Sequence, residues 1–216
     1  MEVRDSWDKP VPLASPVLAD AAVAYYDGVR AVVAIAAQFS STTWNLPTTC
    51  QEWRAADLAA HLRCVADDYH EYLDDAPVSR LSRLMATGAH PQSIARKLAR
   101  QNAAEIATLP DVPPEEHIVA FATSATRYAA RIGPLLGLPH HSYRGREITV
   151  AGMACVATVE WHLHAWDLAS ALGMSYRPAE PEAVLAAWIE GIPLLLPDRE
   201  RDPWLAVLRV SGRFPA

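Results

Sequence analysis

The chain has 216 residues, 51% of them hydrophobic, and its 25 acidic and 19 basic residues give a formal charge of −6. That length suffices for one substantial domain with a real core, and an acidic balance without any basic block argues against a nucleic-acid-binding surface. Cys50, Cys64 and Cys155 are far apart and odd in number, so they spell neither a disulfide framework nor a C-x-x-C metal site.

The N-terminus is charged, with no apolar stretch of signal-peptide length, and the apolar runs are interrupted well short of a membrane span. A cytoplasmic protein without a membrane segment is expected. Residues 1–14, with Pro10 and Pro12 among charges, read as a flexible arm. Ser15-Pro16 supplies a cap and a first-turn proline for a helix reaching about Phe39. A hydroxyl-rich loop then runs to Thr49, where side-chain hydroxyls and Pro47 oppose helix formation.

Helical spacing returns from Arg54 with Leu58, His61, Leu62, Val65, Tyr69 and Tyr72, and it breaks at Ala76-Pro77. His61 therefore falls on the apolar, inward face. Asp57, one turn earlier, either orients His61 or favours the helix dipole. A short helical connection over 78–89, a helix from His90-Pro91 to Leu109 and another from Glu115 to about Leu136 follow, the last two linked by Pro110, Pro113 and Pro114. The segment L-P-H-H-S-Y-R-G-R-E from Leu138 reads as a polar loop. A long helix opening at Glu147 or Thr149 ends at Gly173, a further helix covers Pro181 to about Ile192, and Pro203 to Val210 is either helix or strand. With no convincing strand alternation, the fold class is all-α, a bundle with four principal long helices.

The chemistry concentrates in Val159 to Asp167, V-E-W-H-L-H-A-W-D. Glu160, His164 and Asp167 share one face of the helix at spacings of four and three. Together with His61 from the earlier helix, Glu160 and His164 offer two imidazoles and a carboxylate, enough to hold a divalent metal and leave a coordination position open. Zinc is the first choice by ligand type, and Ni, Fe or Co suit the same donors. Asp167 then serves as an orienter of His164 or as a proton acceptor. The plainer alternative is a helical Glu–His ion pair and an unrelated core histidine. His162 points elsewhere and reads as structural or exposed. His140-His141 are weaker ligand candidates, His70, His90 and His117 read as solvated or capping, and the cysteines read as small apolar residues.

The segment Trp44 to Trp53 (W-N-L-P-T-T-C-Q-E-W), the following R-A-A-D-L-A-A-H-L, the segment Val159 to Leu168 and the closing S-G-R-F-P from Ser211 together resemble the mycothiol-dependent maleylpyruvate isomerase family of actinobacteria, within the DinB-like metalloenzyme superfamily. The resemblance implies a DinB-like four-helix bundle over residues 15–175, with residues 176–216 as a short C-terminal extension packed on it. It implies His61, Glu160 and His164 as metal ligands and Asp167 as a catalytic helper, with Arg209 and Arg213 as candidates for an arginine near the site. It further implies mycothiol as co-substrate and a transferase or isomerase reaction on a small electrophilic metabolite, carried out by a monomer or homodimer. The same site also suits a hydrolase or cyclase using metal-bound water, or a non-catalytic metal- or thiol-binding protein.

Overall fold

A computed structural model describes residues 16–50, 53–75, 79–89, 91–192 and 200–214. The expected N-terminal arm, the Ser15 cap and His90 lie outside the described residues. Eight α-helices occur among them: α1 (Pro16–Ala36), α2 (Ala55–Asp74), α3 (Arg80–Ala86), α4 (Pro91–Ile106), α5 (Pro114–Ile132), α6 (Val150–Ala171), α7 (Pro181–Gly191) and α8 (Pro203–Val210). The termini obey local chemistry. Asp57 Oδ2 accepts the Arg54 backbone N–H at 2.9 Å at the start of α2, so Asp57 caps its helix rather than orienting His61. Thr149 Oγ1 accepts from Gly152 N at the start of α6, and Asp202 accepts from Trp204 N and Leu205 N. That cap decides the open choice over 203–210 for helix.

The four principal helices are α1, α2, α5 and α6, a DinB-like four-helix bundle: α1 packs on α6, α2 on α5, and the pairs α1–α5 and α2–α6 close the ring. Trp161 fills its centre with no exposure, and Tyr25, Tyr69 and Phe121 meet its indole edge-on at ring distances of 6.2, 5.8 and 4.9 Å. A second apolar cluster joins Val159 and Leu163 of α6 to Val184, Trp188, Trp204 and Leu208, so α7 and α8 close over one flank of the bundle. No described helix is long and apolar enough to cross a membrane.

The segment read as a polar loop is a β-hairpin. Strands β1 (Pro139–Tyr143) and β2 (Arg146–Thr149) pair antiparallel, with Tyr143 opposite Arg146. Arg144 and Gly145 turn between them with φ of 49° and 80°, the double left-handed conformation of a tight hairpin turn. His140, His141 and Tyr143 are buried, which the polarity of the sequence hid. The two histidines are not solvated: their Nδ1 atoms lie 3.0 Å apart. His117 is also buried, against Arg63, contrary to the solvated or capping role expected of it.

Candidate metal centre

His61 lies on the inward face of α2, and Glu160 and His164 lie one turn apart on the facing surface of α6. One donor atom from each of the three falls within 4.8 Å of the others. The rings of His61 and His164 meet edge to face at 5.1 Å, and Trp53 packs at 4.4 Å over the other side of His61. Indole, imidazole and helix backbone therefore fix the His61 ring.

Buried polar atoms normally find a hydrogen-bond partner. Two here do not. His61 Nδ1 and His164 Nε2 are both buried without one, and although Glu160 Oε2 stands 3.1 Å from His164 Nε2, that approach lacks hydrogen-bond geometry. His164 Nδ1 is 2.9 Å from Asp167 Oδ2. Donation of the Nδ1 proton to that carboxylate leaves the Nε2 lone pair facing Glu160 and His61, the usual way a carboxylate sets the tautomer of a metal-ligating histidine.

The electrostatics point the same way. Burial, together with the neighbouring His164, pushes His61 down to about 3, so its imidazole is neutral at physiological pH. Burial also disfavours a charged His164, yet the hydrogen bond to Asp167 and the neighbouring Cys50 and Glu160 outweigh it and carry His164 well above the ordinary histidine value. Two carboxylates thus create a negative field at His164 Nε2 that calls for a cation, either a proton or a metal. The donor set, the two unpartnered nitrogens and this field fit a divalent metal held by His61, Glu160 and His164.

Asp167 has no exposure and forms the hub beneath this cluster. Arg213 grips it with two nitrogens, Nε to Oδ1 at 2.9 Å and Nη2 to Oδ2 at 2.7 Å. Thr49 Oγ1 donates to Oδ1, and Cys50 Sγ donates to Oδ2 at 3.1 Å. Burial alone would raise its pKa, but His164 and Arg213 overrule burial and hold the carboxyl well below the usual carboxylate range. The Thr48–Trp53 loop is tied down by Thr48 N to Trp53 O and by Ala55 N to Leu46 O, each at 3.0 Å, which places Thr49 and Cys50 at the hub.

Cys50 is therefore not a small apolar filler: its thiol sits against Asp167 and lies 3.7 Å from Arg213 Nη2. Cys64 and Cys155 do behave as buried apolar residues, their thiols pushed by burial up to about 11 and about 12. Of the two candidate arginines, Arg213 reaches the site, whereas Arg209 pairs with Glu200. His162 is structural, its Nε2 2.8 Å from Ala24 O and its Nδ1 against the Tyr176 hydroxyl. The position of Cys50, eleven residues before His61, carried no local signal of its place beside Asp167.

A cavity of about 510 Å³ opens from His61, Glu160 and Arg213 into the body of the protein. Bundle, His–Glu–His cluster with both histidines buried, and adjoining cavity together define a DinB-like helical protein with a candidate metal centre. The chain belongs to the family described as mycothiol maleylpyruvate isomerase N-terminal domain, whose family model matches residues 26–169. That span runs from α1 to the end of α6 and contains His61, Glu160, His164 and Asp167. No curated protein and no solved structure matches the chain significantly.

Proposed function

We propose that the protein is a metal- and mycothiol-dependent transferase or isomerase that acts in the cytoplasm on a small electrophilic metabolite. The carrying observation is the convergence of His61, Glu160 and His164 donor atoms within 4.8 Å, with two imidazole nitrogens buried and unpartnered at the head of a cavity. Family membership supports the thiol. Zinc is the metal that these donors favour. When bound, a divalent cation supplies Lewis acidity that lowers the pKa of a coordinated thiol or water.

The remaining roles belong to the chain. His61, Glu160 and His164 hold the ion. Asp167 is a positioning residue: it fixes the His164 tautomer through Nδ1 and is itself fixed by Arg213, Thr49 and Cys50. Its five contacts, and a pKa held below the usual carboxylate range, favour this role over that of proton acceptor. In domain terms, residues 15–175 form the metal-binding bundle and 176–216 an extension that contributes Arg213 to it.

The test is conjugation of mycothiol with monobromobimane by metal-loaded protein. In that reaction the thiol proton leaves, a sulfur–carbon bond forms and bromide departs. A rate above the uncatalysed background that disappears in His61→Ala supports the reading. A background rate with metal-loaded protein removes thiol transfer and turns attention to bound water.

A further inference from the structure

The walls of the cavity carry information that the ligand cluster does not. From His61 the cavity follows α2 past Val65 and Tyr69 to Tyr72, eleven residues or about 16 Å of helix at 1.5 Å per residue. On α6 it runs from Glu160 back to Val156 and Met153, and further along it is lined by Leu81 and Met85 of α3, Ile94 and Leu98 of α4, and Ile148 of the hairpin. The head is polar, and the body is mostly apolar, interrupted by Asp68, Asn102, His141 and Arg146.

Charged groups on this path are few: Arg213 at the head is committed to the Asp167 carboxylate, and Asp68, Glu160 and Arg146 line the same space.

We propose that this cavity selects a substrate with an elongated apolar body, an alkyl chain or aromatic ring system, whose polar head lies at His61, Glu160 and Arg213. The assignment of the head to the reacting end rests on the proposed function. The apolar body rests on the wall alone. Burying a chain along this wall removes its methylenes from water, and each contributes about 0.8 kcal/mol, which is roughly fourfold in affinity.

The experiment uses the full chain and the neutral apolar fluorophore N-phenyl-1-naphthylamine, displaced by straight-chain primary amides of four to ten carbons. The expected result is fluorophore binding, with displacement strengthening roughly fourfold per methylene until the chain outgrows the α2 wall. Val65→Trp, which fills the cavity one turn beyond His61, should lower fluorophore and amide affinity at least tenfold while bound metal stays at the wild-type level. Met85→Trp, further along the cavity, should shorten the longest amide that still gains affinity, and it keeps the test open if Val65→Trp does not fold. No fluorophore binding, or affinity flat with chain length, would overturn the proposal. The two readings separate cleanly. Chain-length dependence in a protein that binds no metal supports the apolar substrate and removes the metal-dependent function, whereas a metal-loaded, thiol-conjugating protein without chain-length dependence does the reverse.

Discussion

Arg213 and Asp167, 46 residues apart, form a two-nitrogen ion pair with the carboxylate wholly buried and the guanidinium nearly so. The pair fastens the segment after α8 to the C-terminal part of α6. Removing one partner leaves the other charge stranded in the interior, so Arg213→Ala should cost about 3–5 kcal/mol in urea unfolding. In the double variant Arg213→Ala/Asp167→Ala the stranded charge is gone, and the loss should be smaller than the sum of the single losses. Strict additivity would mean that the pair contributes nothing as a pair.

A gentler change at the same place separates orientation from ligation. Asp167→Asn keeps the shape but presents an amide where His164 Nδ1 now has a carboxylate. Loss of a carboxylate behind a ligating histidine weakens metal binding about 10–100-fold. The variant should therefore bind metal supplied in excess but turn over more slowly. Complete loss of binding in a competition titration with a chelating dye would make Asp167 a ligand.

Metal analysis addresses the ligands directly. Protein purified without chelator should carry about one divalent ion per chain, and His61→Ala and Glu160→Ala should each lose most of it. Elemental analysis of the three proteins decides the matter, and equal contents would exclude this ligand set.

The helices, and the face shared by Glu160 and His164, were legible because both signals are local or periodic. Apolar residues at steps of three and four placed His61 inward, and Glu160 and His164 share a face by spacing alone. The family likeness then joined two helices that periodicity could not. What stayed hidden was long-range or disguised. No local pattern announces that Cys50 and Arg213 meet at Asp167, since each is more than 40 residues from it along the chain. The hairpin was missed because two of its buried positions are histidines, which count as polar in any alternation, although Arg144-Gly145 did carry a turn signal.

Those hairpin histidines give the protein an acid-sensitive element. Burial pushes His140 and His141 down to about 4 each, and at 3.0 Å between their Nδ1 atoms one must donate and the other accept. With the folded value below the unfolded value of about 6.5, the unfolded chain takes up protons first as pH falls. Stability is thus fully present above pH 6.5 and declines as pH drops toward 4, and buried His162, also lowered to about 4, adds with the same sign. Urea midpoints between pH 7.5 and 4.5 should fall progressively, and His141→Leu should flatten the slope. An unchanged slope in that variant would show that the hairpin pair does not carry the effect.

The contact between α1 and α6 offers a last test, because it sets the position of the metal-site helix without touching the site. A Cβ added at Gly28 would stand 2.8 Å from Trp161 Cβ and 3.3 Å from the His162 ring. The first of these is an atom next to the helix backbone, so the strain is relieved only if the helices part. Overpacking of this kind costs about 1–3 kcal/mol, partly offset by the roughly 1 kcal/mol by which alanine exceeds glycine as a helix former. Gly28→Ala should lower the thermal midpoint by a few degrees, at about 2–4 °C per kcal/mol for a chain of this size, with metal content unchanged. A midpoint equal to or above that of the wild type would mean that α1 and α6 are free to move apart at Gly28, and that Trp161 does not fix the spacing on which the alignment of Glu160 and His164 with His61 depends.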